Sequence, residues 1–150
     1  MPLTKKEIHR FVEEFVQSRI DSSLEQLNEL QQSKEGDTKS SAGDKFETSR
    51  EMLQQEEDKI KRMLLQGYKM KQDLDALNPE ENKPTIGAGS IVKTNRGSFY
   101  MSIGIGKLPI ENELIFCISM GSPIGLLLKG QVAGNDVSFN GNTFSIQQVN

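Results

Sequence analysis

The chain has 150 residues, a net charge of −3, 35% hydrophobic residues and a mean hydropathy of −0.52. That is too polar for one compact globule of this size, so part of the chain is expected to be extended and solvated, or disordered. The near-neutral balance leaves no basic stripe of the kind autonomous nucleic-acid binding uses. Apolar runs such as 114–118 and 126–128 are too short to span a bilayer, and the single cysteine, Cys117, excludes a disulfide framework or thiolate cluster.

The charge is uneven. Residues 1–78 carry 13 Lys/Arg and 16 Asp/Glu, whereas residues 79–150 carry 5 of each, which points to two architectures in one chain. Lys5, Lys6 and Glu7 lead straight into an amphipathic pattern instead of a signal peptide, so a cytoplasmic protein with no membrane partner is expected.

From residue 4 to about 32, apolar residues recur at Ile8, Phe11, Val12, Phe15, Val16, Ile20, Leu24, Leu27 and Leu30. Steps of three and four place them on one stripe of a helix, and Thr4 followed by Glu7 reads as a capping box. Residues 33–43 (SKEGDTKSSAG) break the pattern and are expected to form a loop. A second helical pattern runs from about 44 to 77 through Met52, Leu53, Ile60, Met63, Leu64, Tyr68, Leu74 and Leu77, and Pro79 stops it. Two helices of this length form either an antiparallel coiled-coil hairpin ~45 Å long or a bundle completed by dimerisation.

Residues 79–86, with Pro79 and Pro84, read as a linker, giving a division into 1–78, 79–86 and 87–150. Beyond the linker the period becomes two. Strands are expected at 90–94, 98–103, 113–119, 136–139 and 143–149, with a turn at Asn95-Arg96-Gly97 and a hairpin at Asn140-Gly141. Residues 122–130 suit a short helix entered at Pro123 and ended at Gly130. The fold class is therefore α+β, a two-helix hairpin followed by a small β-rich domain.

Few residues offer chemistry. His9 is the only histidine and sits in a charged helical turn, where a solvated role is expected. Cys117, within Leu-Ile-Phe-Cys-Ile, reads as a buried small hydrophobe. Gly87-Ala-Gly89 and Gly104-Ile-Gly106 lack the βαβ context of phosphate loops and read as turns. Met52, Met63 and Met70 are expected in the hairpin seam or at its edge. Around the join of the helices stand Glu35, Asp37, Asp44 and Glu47. Asp44 and Glu47 could cap the second helix, or serve as outer ligands of a Mg²⁺ held elsewhere, since that ion takes one or two carboxylates plus water and phosphate.

Two motifs carry a family resemblance. Gly43-Asp44-Lys45-Phe46-Glu47 is similar to the G-D-x-x-E tip motif of GreA/GreB-type transcript-cleavage factors. Ile118-Ser119-Met120-Gly121-Ser122-Pro123-Ile124-Gly125, then Leu128-Lys129-Gly130 and Gly134-Asn135, resembles the Gre signature I-S-x-x-S-P-I-[AG], L-x-G-K, G-D. The resemblance spans essentially the whole chain. It implies a coiled-coil finger with an acidic tip and an FKBP-like C-terminal domain that generally lacks prolyl-isomerase function. It further implies docking on RNA polymerase through the segment of Ser122, Pro123 and Ile124, with the finger entering the secondary channel. Asp44 and Glu47 would then help hold a Mg²⁺ shared with the polymerase and stimulate cleavage of backtracked RNA, meeting RNA and DNA only indirectly. On this reading the chain binds no cofactor stably and is not itself an enzyme.

The chain departs from the pattern after the tip, where Thr48-Ser49-Arg50-Glu51 replaces the family's E-N-A-E/D-Y continuation, and at Gln131 and Asn135, which replace the Lys of G-K and the Asp of G-D. A non-cleaving secondary-channel regulator is therefore the alternative within transcription. A coiled-coil chaperone or adaptor with an FKBP-like domain is the alternative outside it.

Overall fold

The computed structural model describes the backbone of residues 3–38 and 43–150, and side chains over 3–35 and 48–150. Helix α1 runs Lys5–Thr38 and α2 runs Gly43–Asp75, followed by strands β1 (Ile91–Thr94), β2 (Gly97–Met101), β3 (Gly106–Ile110) and β4 (Glu113–Ile118). Helix α3 (Pro123–Leu128) precedes β5 (Asp136–Phe139) and β6 (Asn142–Val149). This is the expected α+β architecture of a helical hairpin followed by a small β-rich domain. The chain divides into two compact units, one of residues 1–13 with 72–150 and one of residues 14–71.

In the second unit the helices pair antiparallel. Lys71 Nζ donates to Gln17 Oε1 at 3.3 Å, Gly67 abuts Ile20, and Lys34 Nζ donates to Gln54 Oε1 at 3.2 Å and to Glu57 Oε2. The α2 seam steps through Leu53, Glu57, Ile60, Leu64 and Gly67, the alternating four-three spacing of a coiled coil. Ile60 is buried at 3% exposure opposite the α1 stripe of Val16, Ile20 and Leu30. Gly67 belongs to that seam for a steric reason, because a Cβ there would stand 2.8 Å from Ile20 Cγ1.

Three expectations about the helices need correction. Residues 33–38 are helical, and α2 begins at Gly43, so the loop does not occupy 33–43. Tertiary pairing explains the extension, since Lys34 reaches Glu57 and Gln54 while Ser33 Oγ donates back to Glu29 O at 3.2 Å. Residues 39–42 lie outside the described residues. Met52 is 66% exposed, outside the seam, whereas Met63 lies at its edge. His9 is buried at 5% exposure.

The first unit explains His9. Its six-stranded sheet has the order β3-β4-β2-β1-β6-β5, with β2 and β4 parallel and the other neighbours antiparallel. Alternation along the strands sends Val92, Phe99, Met101, Val137 and Ile146 to one face, where Ile86 and Leu128 complete the core. Phe99 stacks on Phe116 at 5.3 Å and meets Phe144 edge-on at 5.6 Å. The opposite parity puts Ile91, Tyr100, Ile115 and Cys117 on the other face, all buried, with Tyr100 paired in register to both Ile91 and Cys117. Tyr100 Oη lies 2.5 Å from His9 Nδ1, so the start of α1 belongs to the second face of the sheet.

The start of α1 is secured at several points. The capping box forms as expected, with Glu7 N donating to Thr4 Oγ1 and Thr4 N to Glu7 Oε2, both at 3.2 Å. Leu3 N donates to Glu113 Oε1 at 3.2 Å, and Lys5 Nζ reaches Glu81 O and Asn150 O. The 79–86 segment expected as a linker lies within this same unit. Its bend is set by Asn78, whose side chain accepts from Glu80 N at 3.0 Å.

The five expected strands are present, together with one the pattern did not show. Strand β3 contains Pro109, which removes a ladder donor, and it is tolerated because β3 is an edge strand. At the β5–β6 hairpin both Asn140 (φ 52°) and Gly141 (φ 78°) take left-handed geometry, as the Asn-Gly pair requires.

Candidate docking surface and hairpin tip

The segment from Ser119 to Gly125 is built by local constraints. Ser122 is the N-cap of α3, where its Oγ accepts from Gly125 N at 3.1 Å and donates to Ser119 O at 2.7 Å. Pro123 opens the helix, where its missing N–H costs nothing. Gly125 must lack a side chain, because a Cβ would fall 2.2 Å from Ser119 O and 2.8 Å from Ser122 Oγ. Leu128 is fully buried and Ile124 packs partly buried on the same core, anchoring the helix to the sheet.

These contacts give the segment a structural role within its own turn. Ser122 and Ile124 are half-buried and shape the turn, while Pro123 is exposed. The apolar surface that α3 offers is made by Leu126 at 63% exposure and Leu127 at 42%, with Val132 at 39% just beyond. No sequence signal separated these leucines from a core run. Only the helical phase, set by Ser122 and Gly125 and pinned by Leu128, decides which of three consecutive leucines faces inward.

Gln131 and Asn135, the two departures in this unit, meet in one contact. Asn135 Nδ2 donates to Gln131 Oε1 at 2.8 Å. The chain therefore carries a neutral amide pair at the two positions where it departs from the resembled pattern.

Cys117 is fully buried, and burial pushes its thiol up to about 12, which suits the expected small hydrophobe and no nucleophile. Burial raises the Tyr100 hydroxyl well above its ordinary range, with smaller contributions from Cys117 and Glu13. The Glu13 carboxylate beside Nε2 of His9 calls for a hydrogen on that nitrogen, which in the neutral imidazole makes Nδ1 the acceptor. Tyr100 therefore donates to Nδ1, and Nε2–H faces Glu13 Oε1 at 3.3 Å.

At the other end of the chain's chemistry, the side chains of Asp37, Asp44 and Glu47 lie outside the described residues. The backbone places Asp44 in the first turn of α2 and Glu47 at the start of the second, near the helix N-terminal partial charge that suits carboxylates. Glu35, Thr48, Arg50 and Glu51 are exposed. The last buried side chain of α2 before the join, among the described residues, is Glu57, held by Lys34 across the seam and by Lys61 Nζ at 3.4 Å along its own helix. The hydrogen bond from Lys34 holds the Glu57 carboxyl below the ordinary carboxylate range. Among the described residues, no helix is long and apolar enough to cross a membrane.

The solved structures to which the chain is similar include three of one transcription factor. They are the GreA factor homolog 1 (Gfh1) protein of Thermus thermophilus (18% identity, 92% of this chain and 94% of that one, TM-score 0.35), a second structure of the transcription factor Gfh1 (18%, 91% and 92%, 0.35), and Gfh1 of Thermus aquaticus (18%, 89% and 94%, 0.33). No family model matches the chain, and no curated protein does.

Proposed function

We propose that this chain is an RNA-polymerase-binding regulator of transcription elongation of the Gre type. It would dock through the α3 surface of its β-rich unit and present the tip of its helical hairpin to the polymerase secondary channel. The observation that carries the reading is the 119–125 turn. Its Ser122 cap and Pro123 helix start account for the S-P of the segment that resembles the Gre signature, and the same turn exposes Leu126 and Leu127. An exposed apolar pair beside a rigid turn is what a protein-docking surface needs.

In this reading Asp44 and Glu47 would share a Mg²⁺ with the polymerase active site. The ion would supply activation of the attacking water and neutralise charge on the phosphodiester. The chain's own part is to bring two carboxylates to that ion, and the polymerase performs the hydrolysis. A second reading, a regulator that occupies the channel without promoting cleavage, is favoured by one observation: Thr48-Ser49-Arg50-Glu51 stands where the resembled motif continues with Asn and Tyr.

A transcript-cleavage assay on an artificially backtracked polymerase complex decides between them. Shortened RNA that depends on the wild-type chain and is lost in Asp44→Asn/Glu47→Gln supports tip-assisted cleavage. Binding and altered elongation with no shortened RNA supports the second reading.

A further inference from the structure

The hairpin seam is apolar along most of its described length and then becomes ionic. Leu30 is the last buried side chain of α1 before the join, among the described residues, and Glu57 is the last buried one of α2. Glu57 is only 8% exposed yet occupies a heptad seam position between Leu53 and Ile60, where an apolar residue would ordinarily pack. Lys34 Nζ bridges its Oε2 from the facing helix and also bonds Gln54 Oε1, while Lys61 Nζ holds Oε1 from one turn along.

We propose that Glu57 sets the register of the hairpin, its carboxylate clasped by Lys34 and Lys61 so that α1 and α2 pair at one alignment. Apart from the fit of Ile20 on Gly67, the apolar part of the seam discriminates weakly against a slip of one helical turn, because one aliphatic side chain replaces another. A carboxylate at a seam position tolerates such a slip poorly, because the slip carries Lys34 away and leaves only Lys61, on its own helix, to hold it. The flanking sequence makes the penalty specific. A slip of four residues along α1 would put Leu30 or Thr38 opposite Glu57 in place of Lys34, and neither can neutralise it. A single polar residue at a seam position is the best-attested means by which coiled coils specify register.

The clasp is therefore a positioning device for whatever the tip does. It rests on the hairpin contacts and not on the polymerase reading, so the failure of one leaves the other standing.

Spin labels on Cys substituted at the exposed Ser18 and Gln55 of the full chain, a pair displaced along the hairpin axis, measured by pulsed dipolar spectroscopy, test it. Cys117 is buried with its thiol pushed up to about 12, so it does not compete for label. The wild-type background should give one narrow distance distribution. Glu57→Leu should keep or raise the melting temperature yet broaden the distribution or split it by about 5 Å, the pitch of one turn. A charge-reversed background, Lys34→Glu with Glu57→Lys and Lys61→Glu, should return a single narrow distribution at the wild-type distance. A narrow, unshifted distribution in Glu57→Leu overturns the proposal, as does a broad one in the charge-reversed chain once circular dichroism shows it helical.

Discussion

Tyr100 Oη and His9 Nδ1 lie 2.5 Å apart across 91 residues of sequence, joining the middle of the sheet to the first turns of α1. Both side chains are buried, so the bond is a closed polar contact within an apolar face. Tyr100→Phe keeps the ring and leaves Nδ1 unpartnered, which should cost about 1–3 kcal/mol in urea denaturation. Replacing both partners, as His9→Leu with Tyr100→Phe, should cost less than the sum of the single changes. The raised Tyr100 hydroxyl adds a pH signature. Its stabilising effect is complete below about pH 10, the range of the free phenol, and is lost as pH rises through the folded-state value. Melting temperature should fall in strong alkali, and less steeply in Tyr100→Phe.

Glu57 works in the opposite pH direction. Its carboxyl is held low in the folded chain, chiefly by Lys34, so its contribution is present above the ordinary carboxylate range and is lost as pH falls through the lowered value. Amide exchange over residues 31–38 and 48–56 should therefore accelerate as acid is added, while 14–27 changes less. Glu57→Gln should show fast exchange in the distal segments already at neutral pH and little further acid dependence there.

Gly125→Ala should be severe for so small a change. The added methyl would lie 2.2 Å from a backbone oxygen, which cannot rotate away, so a loss of about 3 kcal/mol in denaturation is expected. Ser122→Ala, which removes only the cap, should cost ~0.5–2 kcal/mol. Leu126→Glu, at an exposed site, should stay within about 0.5 kcal/mol of wild type.

Gly67→Ala separates helix propensity from seam packing. In the wild-type chain the new Cβ meets Ile20 Cγ1 at 2.8 Å, and overpacking of about 1–3 kcal/mol outweighs the ~1 kcal/mol that alanine gains over glycine in a helix. In an Ile20→Ala background the obstructing atom is gone, so the same substitution should become stabilising. Thermal melting of the four chains reads the reversal of sign.

The helices, the capping box at Thr4, the Asn140-Gly141 turn and five strands were legible because each is written in local spacing. What escaped was set at a distance. His9 looked solvated because its turn is charged and its partner Tyr100 stands on a strand far along the chain. Residues 33–38 carry loop composition, yet Lys34 finds Glu57 and Gln54 and the helix continues. Strand β3 was hidden by Gly106 and Pro109, residues that an edge strand accepts. At the candidate docking surface, sequence pointed to Ser122, Pro123 and Ile124, whereas the outward-facing leucines became distinguishable only once the phase of α3 was set.

Equilibrium binding of the fluorescently labelled chain to purified bacterial core RNA polymerase tests the central claim most directly. The account predicts saturable binding by the wild-type chain and at least a tenfold weaker affinity for Leu126→Glu/Leu127→Glu. That variant should be folded as judged by circular dichroism and melting. Affinity should change little in Asp44→Asn/Glu47→Gln. No saturable binding by the wild-type chain, or undiminished binding by the folded leucine variant, would contradict it.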